Sequence, residues 1–61
     1  MPFLVYQGPK AHRRVLTAAG TWVPAQRFGV GKRFDRAEAE RQVEALRRAL
    51  PGVLVGSFEV P

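Results

Sequence analysis

The stretch from Asp35 to Gly52 limits what this chain can fold into more than any other. Asp35-Arg36-Ala37-Glu38 is a capping-box pattern, in which the Asp35 carboxylate accepts from backbone N–H groups of a first helical turn and Glu38 reaches back three residues. Strong helix formers follow as far as Leu50, and Pro51-Gly52 supplies a stop. At the helical period Ala39, Val43, Leu46 and Leu50 fall on one narrow stripe, with Arg41, Glu44 and Arg48 opposite. Such a helix lays one face on a sheet and leaves the other to water. Glu44 and Arg48 have the favourable i, i+4 orientation for an exposed ion pair.

The flanking sequence reads as short strands. Phe3 to Tyr6 is a compact apolar run closed by the turn chemistry of Gln7-Gly8-Pro9-Lys10. Arg13 to Thr17 and Thr21 to Val23 form an antiparallel hairpin around Ala18-Ala19-Gly20. Pro24 has no N–H for a ladder, so the Trp22 strand lies at an edge or ends there. Between Ala25 and Lys32, Gly29 and Gly31 flank Val30, which suits a loop or a short bulged strand. Val53 to Val60 is the last strand, with Leu54, Phe58 and Val60 on one face and Val53, Val55, Ser57 and Glu59 on the other. The first face is the more apolar and is expected against the helix. The expected fold is α+β: one domain over residues 1–61, with a small single-layer antiparallel sheet of three to four strands packed on one helix, in the order β-β-(β)-α-β.

A chain of 61 residues buries little of its surface and is only marginally stable unless it packs well or self-associates. With no cysteine it needs no oxidising compartment, and its first residues are too short an apolar run for a signal peptide or a membrane span. The expectation is a cytoplasmic protein with no membrane partner.

Charge is divided along the chain. Up to Phe34 every charged residue is basic, namely Lys10, Arg13, Arg14, Arg27, Lys32 and Arg33, with His12 among them; the acids begin at Asp35 and balance the arginines beyond it. The net charge is +5. Such asymmetry points to an anionic partner. The aromatics Phe3, Tyr6, Trp22, Phe28, Phe34 and Phe58 are many for so small a core, and Tyr6 and Trp22 are the candidates for partner contact.

The residues give little support to catalysis. Gly29-Val30-Gly31-Lys32 suggests a phosphate loop, yet Gln26 and Arg33 stand where a P-loop needs glycine and Ser or Thr, and Phe34 stands where a dinucleotide fingerprint needs its third glycine. His12 is the sole histidine, so one chain offers no histidine-based metal site, and on a basic loop it adds proton-dependent charge. Asp35 and Glu38 serve the helix cap, Glu40 and Glu44 lie on the helix, and Ser57 has no neighbouring base. A chain this short is not expected to build a concavity of several hundred cubic ångströms. The protein is expected to be no enzyme and to take no cofactor, metal or small-molecule substrate.

Gly20-Thr21-Trp22, Lys32-Arg33-Phe34-Asp35 and Ala37-Glu38-Ala39-Glu40 occur in an order similar to that of a group of small uncharacterised phage and bacterial proteins, built as a β-hairpin, a capped helix and a final strand. The likeness runs through Val15-Leu16, Gly20, Trp22, Phe34, the helix and Val53 to Val60. The chain departs from the group in having Gly31 where alanine is usual and a longer run between Trp22 and Phe34. The likeness implies the fold and carries no activity. Trp22-Val23 and Gly31-Lys32-Arg33-Phe34 through Ala39 also resemble the three-stranded DNA readers of the plant AP2 and integrase arm-binding type, in which basic residues of the sheet face DNA.

Two functions follow as expectations. One is a small binding module, such as a phage-type regulator, that docks on a partner protein or self-associates as a homo-oligomer through an exposed strand edge beside Pro24. The other is nucleic-acid binding through Lys10, Arg13, Arg14, Arg27, Lys32 and Arg33. A third alternative is a domain whose basic charge serves no specific anionic partner.

Overall fold

The computed structural model describes residues 1–61, apart from the side chain of Phe28. Four strands, β1 (Phe3–Gln7), β2 (Arg14–Leu16), β3 (Trp22–Pro24) and β4 (Val55–Glu59), form one antiparallel sheet in the order β3-β2-β1-β4, and the helix α1 (Arg36–Ala49) packs across it. This is the expected α+β architecture. Both β3 and β4 are edge strands, and Pro24 is the last residue of β3.

Of the two forms the sequence allows after Pro24, a loop or a short bulged strand, the structure has the first, with no strand between Ala25 and Val30. Ala25–Val30 winds into tight 3-10 turns that kink at Arg27. β1 and β2 pair at Tyr6↔Val15 and Gln7↔Arg14 and then part. Residues 31–34 fill the opening. Gly31 bridges Thr17, the Lys32 N–H donates to the Leu16 carbonyl at 2.9 Å, and Phe34 exchanges two 2.8 Å backbone hydrogen bonds with Phe3. Backbone groups that the splayed strands would leave unpaired are thereby satisfied.

The helix begins as expected, with Asp35 Oδ1 accepting from the Glu38 N–H at 2.8 Å. The second half of the capping box is absent. Glu38 turns its carboxylate forward, accepting from the Arg41 guanidinium and from Gln42 Nε2 at 3.2 Å. A cationic donor outcompetes a neutral backbone N–H for the same carboxylate. At the other end the Leu50 N–H bonds the Leu46 carbonyl, and Gly52 at φ +89° turns the chain into β4. Ala39 and Val43 of the predicted stripe are buried, and Leu46 packs against them.

The face of β4 that meets the helix is the reverse of the expected one. Val55 joins Val5, Phe34, Ala39 and Val43 in the helix-side core, with Phe3, Leu16, Trp22 and Leu46 packed around it. Phe58 and Val60 lie on the helix-free side with Leu4 and Val15, flanked by Tyr6, Val23 and Ala25. Leu54 is 54% exposed. The reason is the absence of a second covering layer. The helix-free face must shield itself, and bulky side chains such as Phe58 and Tyr6 do so by leaning over Leu4 and Val15, which are fully buried. Greater apolar bulk therefore marks the uncovered face.

Candidate anion-binding groove

The sheet separates the charged groups by end. At one end Phe3 pairs with Glu59 and Phe34, so Lys32, Arg33, Asp35 and the helix start, with Glu38 and Glu40, gather there. At the other end Gln7 pairs with Arg14 and Val55, and the Gly8 N–H donates to the Leu54 carbonyl. There the chain turns through Gly8 and the 3-10 turn Lys10–His12 into Arg13 and Arg14. Gly8 holds φ +94°, a left-handed conformation, and a Cβ on it would lie 2.8 Å from the His12 carbonyl oxygen. A residue other than glycine would disturb this reversal.

The basic end encloses a groove of about 590 Å³, lined by Lys10, His12, Arg13, Arg14, Pro24 and Gln26 together with Ala11 and Ala25. A chain of this size was not expected to form a concavity so large. Its two sides are the β1–β2 connection and the start of the 3-10 turns after β3, joined by a 2.9 Å bond from the Ala25 N–H to the Arg13 carbonyl.

Arg13 is held from beneath. Its guanidinium carbon lies 4.0 Å from the centroid of the Tyr6 ring, a cation–π contact on the helix-free face. The phenol end of Tyr6 lies across Gly56, and Phe58 is 6.0 Å away, ring to ring. The Nε of Arg13 is buried without a hydrogen-bond partner. Lys10 and Arg14 are exposed. Among the described residues every ion pair lies within the helix: Arg36–Glu40, Arg41–Glu38 and Arg48–Glu44. No acidic residue lines the groove, and Lys10, Arg13 and Arg14 have no carboxylate partner among the described residues.

The other sequence candidates are dispersed. Arg27 lies at the kink of the turns after β3 and does not line the groove. Lys32 Nζ sits 5.0 Å from the Phe34 ring centroid. Arg33 borders a shallow hollow with Met1, Pro2, Phe34 and Asp35. Trp22 is half-buried against the helix-side core, and Tyr6 is engaged by Arg13 and Gly56. Pro24 and Gln26 are groove residues that the sequence reading missed, because only the β2–β3 register, Arg14 opposite Pro24, brings them there.

Among the described residues no three His, Asp or Glu side chains gather in a way that could hold a metal ion. No helix is long and apolar enough to cross a membrane. No family model, curated protein or solved structure matches this chain.

Proposed function

We propose that the protein binds nucleic acid through its phosphate backbone, with Lys10, Arg13 and Arg14 as the contacting cations and His12 beside them. The observation that carries this reading is the groove: three cations and a histidine line one concavity, with no carboxylate among its lining residues. Clustered cations without internal counter-charges attract a polyanion and release its condensed counterions on binding. The cation–π contact holds the Arg13 guanidinium in place, which lowers the entropy cost of using it. Because Tyr6 is already engaged by Arg13 and Gly56, it offers bases no free stacking platform. Contact through phosphates positions a strand and reads little sequence.

The test is the salt dependence of binding to a short duplex of arbitrary sequence, followed by fluorescence anisotropy. Each phosphate contact contributes roughly 0.9 to the slope of log K against log salt. Lys10→Ala with Arg14→Ala, both at exposed positions, lowers that slope by about 2. Lys32→Ala with Arg33→Ala, at the opposite end, leaves it nearly unchanged. Binding indifferent to salt, or equal losses from the two pairs, would refute the assignment.

A further inference from the structure

We infer that two copies of this chain associate through β4, pairing antiparallel about Ser57 to form one continuous eight-stranded sheet. The inference does not depend on nucleic-acid binding.

The β1–β4 ladder decides which backbone groups of β4 are free. The Gly8 N–H donates to the Leu54 carbonyl and the Val60 N–H to the Pro2 carbonyl. With Tyr6 opposite Gly56 and Leu4 opposite Phe58, the alternation of an antiparallel ladder directs the backbone groups of residues 54, 56, 58 and 60 toward β1. Those of Val55, Ser57 and Glu59 therefore point outward, along the open edge, and among the described residues they meet no partner in the chain.

The two edges of the sheet differ in protection. On β3, a strand of three residues, Trp22 and Pro24 point their backbone groups outward, and Pro24 has no N–H to offer. β4 has five residues in unbroken register with β1, with no proline, lysine or bulge among them. Natural sheets rarely leave such an edge open. Self-association through the edge beside Pro24, the expectation from sequence, thus moves to the opposite edge.

The edge complements itself in a single register. With Ser57 opposite Ser57 of the second copy, each Val55 meets a Glu59, and all three outward residues become hydrogen-bonded pairs. On the helix-free face Phe58 then stands opposite Gly56, and Leu54 opposite Val60, in the closer, non-hydrogen-bonded positions. Leu54 and Val53, 54% and 41% exposed and next to this edge, are large apolar residues left uncovered in the single chain. The pairing covers Leu54 and sets Val53 opposite Pro61. Charge fits as well. The antiparallel arrangement brings Glu59 of one copy to the basic end of the other and keeps the two Glu59 carboxylates apart, whereas pairing centred on Glu59 would oppose them.

The experiment is sedimentation equilibrium of the full chain without nucleic acid, joined to amide hydrogen exchange at several protein concentrations. A dimer is expected, with the amides of Val55, Ser57 and Glu59 becoming protected as concentration rises. Ser57→Pro removes two symmetry-related outward N–H groups and raises the dissociation constant by at least about tenfold. Leu54→Lys acts in the same direction by placing a charge at the junction. A chain that stays monomeric at high concentration would overturn the inference, as would a dimer in which these amides exchange as fast as in the monomer. The exchange readout uses the unaltered protein, so it decides the question even if Ser57→Pro fails to fold.

Discussion

Tyr6 lies across Gly56, its direct partner on the neighbouring strand, so closely that a Cβ at residue 56 would fall 2.5 Å from the Tyr6 hydroxyl oxygen. An aromatic ring over a strand glycine covers backbone that the glycine leaves bare. The same ring carries the Arg13 guanidinium, whose carbon lies 4.0 Å from its centroid, so a glycine on β4 is linked through Tyr6 to a residue of the groove.

Gly56→Ala is therefore expected to destabilise the protein by about 1–3 kcal/mol through overpacking. In a Tyr6→Val background the same substitution has room and costs clearly less. Urea denaturation of the four proteins of this double-mutant cycle measures the coupling.

The exchange of faces on β4 makes opposite predictions for neighbouring residues. Val55→Ala removes atoms from the helix-side core and costs about 1–3 kcal/mol, whereas Leu54→Ala, at an exposed position, stays within about 0.5 kcal/mol. Thermal melts at concentrations below association compare the two. For a domain of this size each kilocalorie corresponds to roughly 4–8 °C in Tm.

Gly8 ties the groove to the fold. Gly8→Ala forces a side chain into a left-handed backbone conformation and against the His12 carbonyl, a cost of about 1–3 kcal/mol. Because it displaces the Lys10–His12 turn, the nucleic-acid binding proposed for the groove is expected to weaken even at temperatures where the variant is fully folded. Titration at low temperature, with folding followed by circular dichroism, separates the two effects.

The Arg41 guanidinium beside Glu38, assisted by Gln42, holds the Glu38 carboxyl below its ordinary pKa. A carboxyl whose folded pKa is lowered binds its proton less readily in the folded state than in the unfolded one. Its stabilising contribution is complete above the unfolded pKa and disappears as pH falls through the folded one. Arg41 is exposed and Glu38 half-exposed, so the effect is small and weakens with salt. Melting temperature against pH should show Glu38→Gln losing stability at neutral pH and converging on the parent in acid.

Much of this was legible in the sequence, because local chemistry determines it. A carboxylate at the N-cap, helix formers with an apolar stripe, and a proline-glycine stop specify α1 through contacts within a few residues of one another. Short β-branched and aromatic runs between glycines and prolines specify the strands, and the chain order of charges was visible directly. Long-range pairing decided the rest. The more apolar face of β4, with Phe58, pointed the wrong way, because it covers Leu4 and Val15 on the helix-free side while the register with β1 puts Val55 under the helix. Sequence proximity grouped Lys32 and Arg33 with Lys10, Arg13 and Arg14. The bridge from Phe34 to Phe3 carries the first two to one end of the sheet, and the pairing of Gln7 with Arg14 keeps the others at the opposite end. A ladder joins residues distant in sequence, and side-chain periodicity carries no record of which strands will meet or which edge stays open.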